Sequence, residues 1–282
     1  MGVIRMPQSR IDYFIGEDIP YIDLTCLVLG IDGEPARMEY YTREACVLSG
    51  GEVVARMAHT LECEVAQAKP DGTRLASGDA FMEVRGTAAA LHQLWKVGLN
   101  TFDHLSAVAT KTRTMVDAAH AANAHCEVLT TRKSMPGAKD LLTQATITGG
   151  AFPHRLGLSE TVLVFEQHLA FMGGLDGFLA KLPEIRLRCC EKKVFVEATP
   201  ERAIELAEAG VDGIQLDKAT PDMIAALVPK LRAINPRITL IAAGGVNPSN
   251  VAAYAATGVN GLATTAPFTA KPIDMSVRMM PA

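Results

Sequence analysis

The sequence predicts an α/β protein in two parts: a parallel sheet alternating with helices in the second half, and a smaller unit of antiparallel strands and helix before it. Three observations predict this. Six apolar runs of strand length, at 127–131, 162–165, 194–197, 213–216, 238–242 and 261–264, are separated by helical segments. The last four runs recur about every 20 to 25 residues, the spacing of a strand–helix unit. Residues 36–85 instead alternate apolar and polar positions between turn clusters at Gly50-Gly51, Lys69-Pro70-Asp71-Gly72 and Ser77-Gly78-Asp79, as antiparallel strands do.

From Thr87 to His120, Leu91, Leu94, Leu99, Phe102, Leu105 and Val108 fall near helical spacing, which predicts one long or two consecutive amphipathic helices. The later helices open on Thr199-Pro200-Glu201, Thr220-Pro221-Asp222 and Asn247-Pro248-Ser249, each a capping side chain before a proline, and Gly210 and Gly258 supply stops. Pro229 should kink or interrupt its helix. Unbroken apolar strands joined by helices imply a parallel sheet covered on both faces, either a barrel or an open doubly wound sheet; periodicity does not separate the two.

At 282 residues and 49% hydrophobic the chain can bury a large core, and a net charge of -4 provides no basic stripe for nucleic acid. Six cysteines show no C-x-x-C pair or metal-ligand spacing, no signal peptide is evident, and no apolar stretch reaches the roughly 20 residues that span a bilayer. A reduced, cytoplasmic chain that meets neither nucleic acid nor membrane is expected.

In either sheet architecture ligands gather at the carboxyl ends of the strands. The polar clusters fall there. Arg132 and Lys133, in Thr131-Arg132-Lys133-Ser134-Met135-Pro136-Gly137, place two cations on short backbone past a strand, suited to carboxylate or phosphate; a solvated basic pair is the plain alternative. His154-Arg155, after Gly149-Gly150, adds a titratable donor and a guanidinium fork. Glu197 and Asp217 end successive strands, where paired carboxylates bind sugar hydroxyls or a hard cation such as Mg²⁺, unless each merely pairs with Lys193 or Lys218 or caps a helix. Gly244-Gly245 before a helix suits a phosphate, although a tight turn explains it equally. The remaining histidines lack H-x-x-x-H pairing, which disfavours a built-in zinc site.

Together with Glu17-Asp18, Asp23-Leu24-Thr25, Leu99-Asn100, Ser106-Ala107-Val108-Ala109-Thr110, Leu158 and Thr257-Gly258-Val259, these stretches resemble quinolinate (nicotinate-nucleotide) phosphoribosyltransferase over almost the whole chain. The resemblance implies an incomplete parallel α/β barrel, residues 111–267, with a smaller N-terminal α+β domain, residues 1–110 joined by 268–282. It also implies a homodimer or higher homo-oligomer with a shared active site. The implied chemistry is attack of a ring nitrogen on the anomeric carbon of phosphoribosyl pyrophosphate (PRPP) with Mg²⁺. By position, Arg132, His154 and Arg155 would hold a substrate carboxylate and Lys133 would sit near the reacting groups. Glu197 and Asp217 would hold ribose and metal, and Gly244-Gly245 the 5′-phosphate.

Departures from the family pattern matter as much. Phe165 stands where the family has a lysine, Lys96 where a partner supplies an arginine, Phe195 where a glutamate is usual and Ala243 where a serine is. The last phosphate loop reads Thr264-Thr265-Ala266 without the usual glycine and histidine. Losing one charged hydrogen bond costs about 1.5–3 kcal/mol, so a dicarboxylate should bind less well. The chain therefore resembles a divergent pyrophosphorylase branch associated with molybdate-transport genes, acting on a base other than quinolinate. A true quinolinate enzyme and a non-catalytic phosphate- or oxyanion-binding protein are the alternatives.

Overall fold

The computed structural model describes residues 4–282. Along the chain run α1 (Gln8–Asp18), α2 (Leu24–Leu29), β1 (Pro35–Thr42), β2 (Cys46–Val47), α3 (Gly51–Thr60), β3 (Glu64–Ala68), β4 (Arg74–Leu75), β5 (Ala80–Thr87) and α4 (Ala88–Ala122). There follow β6 (Glu127–Thr130), α5 (Lys139–Thr148), β7 (Phe152–Pro153), β8 (Val162–Val164), α6 (Glu166–Leu169), α7 (Gly174–Arg188), β9 (Val194–Ala198) and α8 (Pro200–Glu208). The chain finishes with β10 (Gly213–Asp217), α9 (Pro221–Ile234), β11 (Thr239–Ala243), α10 (Val251–Ala256), β12 (Gly261–Thr264) and β13 (Met275–Pro281).

Two units result. The first comprises the residues up to Arg113, Ser134–Gly150 and Pro267–Ala282; the second comprises Thr114–Lys133 and Ala151–Ala266. In the first, β13, β1, β5 and β3 form an antiparallel sheet whose buried face carries Met38, Tyr40 and Val84. Tyr40, Phe81 and Phe102 pack there edge to face, with centroids 5.3 Å apart for Tyr40–Phe102 and 4.8 Å for Phe81–Phe102. The segment Ser134–Gly150, which the range 111–267 assigns to the barrel, clusters with this first unit. Its helix α5 is the reason: Leu141, Leu142 and Ala145 pack with Leu105, Val108 and Phe268, and the Gln144 side chain donates to Asp71.

The second unit is a seven-stranded parallel sheet in the order β7-β6-β12-β11-β10-β9-β8. The strand that comes first in sequence, β6, pairs with the last, β12, as in a closing barrel, but the ends β7 and β8 do not pair. The sheet is thus a half-barrel with helices, which settles the choice that periodicity left open. Alternation sorts its side chains. Val194, Val196, Ile214, Leu216, Leu240 and Leu262 join the large helix-side core, whereas Leu163, Phe195, Ile241, Ala243 and Ala263 fill the interior.

Two local expectations are corrected and one strand is added. Pro229, expected to kink or interrupt its helix, lies inside an uninterrupted α9. Asn247-Pro248-Ser249 forms a turn before α10 rather than opening it: the Asn247 carboxamide oxygen accepts from Ser249 N–H, and Asn250 is the N-cap residue. The strand β7 escaped the sequence reading because two residues, one of them proline, carry no periodicity.

Candidate active site at the rim of the half-barrel

All strands of the second unit are parallel, so every residue just past a strand stands on one rim. The strand order then arranges chemistry around it. Arg132 and Lys133 follow β6 and His154-Arg155 follow β7, so the cations occupy one side. Glu197 on β9 and Asp217 on β10 occupy the other, with Gly244-Gly245 after β11 and Thr264-Thr265 at the end of β12 between them. Phe165 follows β8 at the open seam.

On the acidic side, register pairs Glu197 with Gln215, and the Gln215 carboxamide donates to the Glu197 carboxylate. Burial raises the Glu197 pKa against that hydrogen bond, and the negative charge of Asp217 raises it further, while Lys133 and Lys218 pull it down. Asp217 pairs with Lys218, Nζ to Oδ2 3.8 Å, so one of the plain alternatives, a neighbouring lysine, is partly realised. Sequence reasoning missed Gln215, although a polar residue inside the apolar run Ile214-Gln215-Leu216 was a signal. It lies in the interior layer that Glu197 occupies one strand away.

Gly244 and Gly245 both adopt left-handed backbone, φ +83° and +86°, which only glycine takes without strain. A Cβ on Gly244 would stand 2.7 Å from Lys218 N and 2.8 Å from Asp217 Oδ1, so this turn is pressed against the end of β10. The Gly245 carbonyl accepts from the side chains of Asn247 (2.9 Å) and Asn250 (3.0 Å), which fixes the turn from below. Thr264 is buried, and its hydroxyl donates to Val246 O (2.7 Å) and accepts from Ala266 N–H (3.0 Å). It therefore ties two loops together. The Thr265 hydroxyl meets that of Thr131 at 2.8 Å.

On the cationic side the His154 N–H donates to Thr130 O (2.8 Å), which holds the His154-Arg155 loop against β6. Burial and the neighbouring Arg155 charge lower the His154 pKa, so the ring favours its neutral form. Arg155 is buried at 8% exposure, and its pKa is lowered by burial and by Arg132, with Glu160 opposing. Its guanidinium lies 5.8 Å from the centroid of Phe165, on whose other neighbour, His168, the rings stack at 5.8 Å. The Phe165 N–H donates to His168 Nδ1 (3.0 Å). Lys96 belongs to α4 of the first unit, exposed, with Nζ 4.7 Å from the Trp95 ring centroid.

Glu197 and Asp217 lie close enough to repel, and a divalent cation relieves such a pair; they suit a hard cation that brings further oxygen ligands with it. Among the described residues no cluster of three or more His, Cys, Asp or Glu side chains could hold a metal unaided, and no helix is long and apolar enough to cross a membrane.

Residues 23–106 match the N-terminal domain and residues 108–278 the C-terminal domain of quinolinate phosphoribosyl transferase. The chain is 32% identical over 281 residues to "Putative pyrophosphorylase ModD" of Escherichia coli O6:H1, covering 99% of each. It is 30% identical over 272 residues to "Probable nicotinate-nucleotide pyrophosphorylase (carboxylating)" of Methanothermobacter thermautotrophicus, covering 94% of this chain and 96% of that one. The crystal structure of NadC from Streptococcus pyogenes has the same fold, with a TM-score of 0.89 at 25% identity over 98% of this chain and 96% of that one.

Proposed function

The chain belongs to the quinolinate phosphoribosyl transferase family, and on that premise we propose that it is a pentosyltransferase that moves phosphoribose from PRPP to a nitrogen heterocycle other than quinolinate, with Mg²⁺. The observation that carries this reading is the single rim on which carboxylates face cations across a glycine turn. In such a transfer the ring nitrogen's lone pair forms a bond to the anomeric carbon as the bond to pyrophosphate breaks, and that bond's electrons leave on the pyrophosphate. The ribose passes through a cationic, oxocarbenium-like state.

Glu197 and Asp217 beside the ribose stabilise that cation, and Lys133 meets the charge of the departing pyrophosphate. Gln215 holds the Glu197 carboxylate in place. The Gly244-Gly245 turn receives the 5′-phosphate, Thr265 and Thr264 border it, and Arg132, His154 and Arg155 take the acidic group of the base. Glu197 and Asp217 would hold Mg²⁺, which would supply charge neutralisation for the leaving group. Lys96 serves the site of a second copy in a homodimer.

A second reading, transfer to quinolinate itself, is favoured by the presence of Arg132, His154 and Arg155 together on the rim. Both readings are tested by Mg²⁺-dependent pyrophosphate release from PRPP with quinolinate and a panel of other nitrogen heterocycles. Release with another acceptor supports the proposal, release with quinolinate alone supports the second reading, and no release without any PRPP-dependent rise in melting temperature overturns both. Asp217→Asn should lower kcat by about 10²–10³-fold. It should also move the acid limb of the pH–rate profile downward, because Glu197 loses the negative neighbour that raises its pKa.

A further inference from the structure

A phosphate monoester seated at the Gly244-Gly245 turn is close to a dianion at neutral pH, and the strands around that turn offer few groups to meet its charge. Ile241, Ala243 and Ala263 of the interior layer are apolar. The buried Thr264 hydroxyl is committed to Val246 O and Ala266 N–H. In the segments that follow β10, β11 and β12, residues 218–220, 244–250 and 265–270, Lys218 is the one lysine or arginine. Resting on the phosphoribosyl-transfer reading above, we infer that Lys218 is a further substrate-binding residue, whose ammonium meets the 5′-phosphate at the glycine turn.

Backbone conformation singles out the same residue. Lys218 has φ +55°, and the other non-glycine residue with left-handed backbone among the described residues is Glu62, at +59°. Glu62 follows α3, where its N–H donates to His59 O (3.1 Å) and the Cys63 N–H donates to Ala58 O (2.8 Å), the bonds of an ordinary helix stop. Lys218 stops no helix. It stands just past β10, and its N–H donates to Ala243 O at the end of β11, at 2.9 Å. A residue with a Cβ adopts this conformation at a cost, and an outlier retained at the rim of a ligand site is a pointer to function.

That backbone lays the side chain along the turn: Cγ of Lys218 lies 2.9 Å from where a Cβ on Gly244 would stand. The ammonium is not consumed by its neighbour. Nζ stands 3.8 Å from Asp217 Oδ2 and the Lys218 side chain is 84% exposed, and an ion pair so long and so open to water contributes little. A compact charge on a flexible stem is therefore held beside the exposed Gly245 with room to close on a phosphate. The glycines give the phosphate space and backbone, and the lysine gives it charge.

The test is the affinity of the full chain for PRPP and for pyrophosphate, each with Mg²⁺, measured by calorimetry on the parent, Lys218→Asn and Lys218→Arg. Asparagine tolerates left-handed backbone and removes the charge, whereas arginine keeps the charge. Lys218→Asn should bind PRPP about tenfold or more weakly, the loss of one charged hydrogen bond. It should lose less than about threefold for pyrophosphate, which has no 5′-phosphate, and should melt no lower than the parent. Lys218→Arg should stay within about threefold of the parent for PRPP. PRPP affinity unmoved by Lys218→Asn, an equal loss for pyrophosphate, or a lowered melting temperature overturns the inference while leaving the transferase intact. Failure of the parent to bind PRPP overturns the phosphoribosyl-transfer reading itself, and the inference with it.

Discussion

At Gly213 the interior of the half-barrel leaves room for nothing larger than hydrogen. A Cβ there would stand 2.1 Å from Cε1 of Phe195, its register partner on β9, and that ring is buried. Gly213→Ala should therefore destabilise by about 1–3 kcal/mol, as overpacking does. The denaturation midpoint reads this, and adding Phe195→Leu should restore most of the loss; an alanine variant as stable as the parent would show that the ring yields freely. Asp103 makes a different demand. Burial pushes its carboxyl up to about 6 from 3.8, and its Oδ1 is shut away without a hydrogen-bond partner. The folded state thus binds this proton more tightly than the unfolded chain, so its contribution to stability is present at low pH and is lost as pH rises toward and past about 6. Asp103→Asn removes that loss. Its melting temperature relative to the parent should climb between pH 4 and 7, and a flat difference would refute the burial argument. Neither residue announced itself in the sequence. Gly213 reads as the first position of a strand and Asp103 as one acid on a long helix; only the neighbours make them costly.

Single elements obeyed the sequence where their signal was local and repeated. The six apolar runs became β6, β8, β9, β10, β11 and β12, and residues 88–122 formed one helix instead of two because no proline or glycine pair breaks them. Caps were less legible, since an identical signature can be used differently. Both α8 and α9 open on threonine before proline, yet only the Thr220 hydroxyl accepts from the backbone, at 3.3 Å from Met223 N. The Thr199 side chain is exposed and bonds the Glu201 carboxylate instead. Thr220→Ala should accordingly cost about 1 kcal/mol, the worth of a lost N-cap, whereas Thr199→Ala should lie within a few tenths of the parent, as exposed polar pairs do. Chemical denaturation of the two variants compares them directly, and equal losses would contradict the hydrogen-bond assignment. The rim residues were legible for a topological reason: in parallel strands joined by helices, the polar residue after each apolar run always faces the same end. Gln215, Glu160 and His168 were not, because their place depends on which strands are neighbours.

Across the whole molecule, the first unit is assembled from three stretches of chain, and β13 completes its sheet from the last of them. Register runs from Ala36 opposite Pro281 to Thr42 opposite Met275, so nearly the entire sequence separates the partners. Truncation before Met275 would expose the edge of β1, a strand whose other face buries Met38 and Tyr40. It should lower the melting temperature by several degrees and promote association on heating; light scattering during a thermal ramp checks this, and an unaltered profile would mean that β13 is dispensable. The same register has a consequence during synthesis. While the ribosome extends the chain, β1 emerges early and stays without its partner until β13 has followed, by which time every strand of the half-barrel has been delivered. A protein built this way is most open to misassociation in the interval during which its earliest strand still awaits β13.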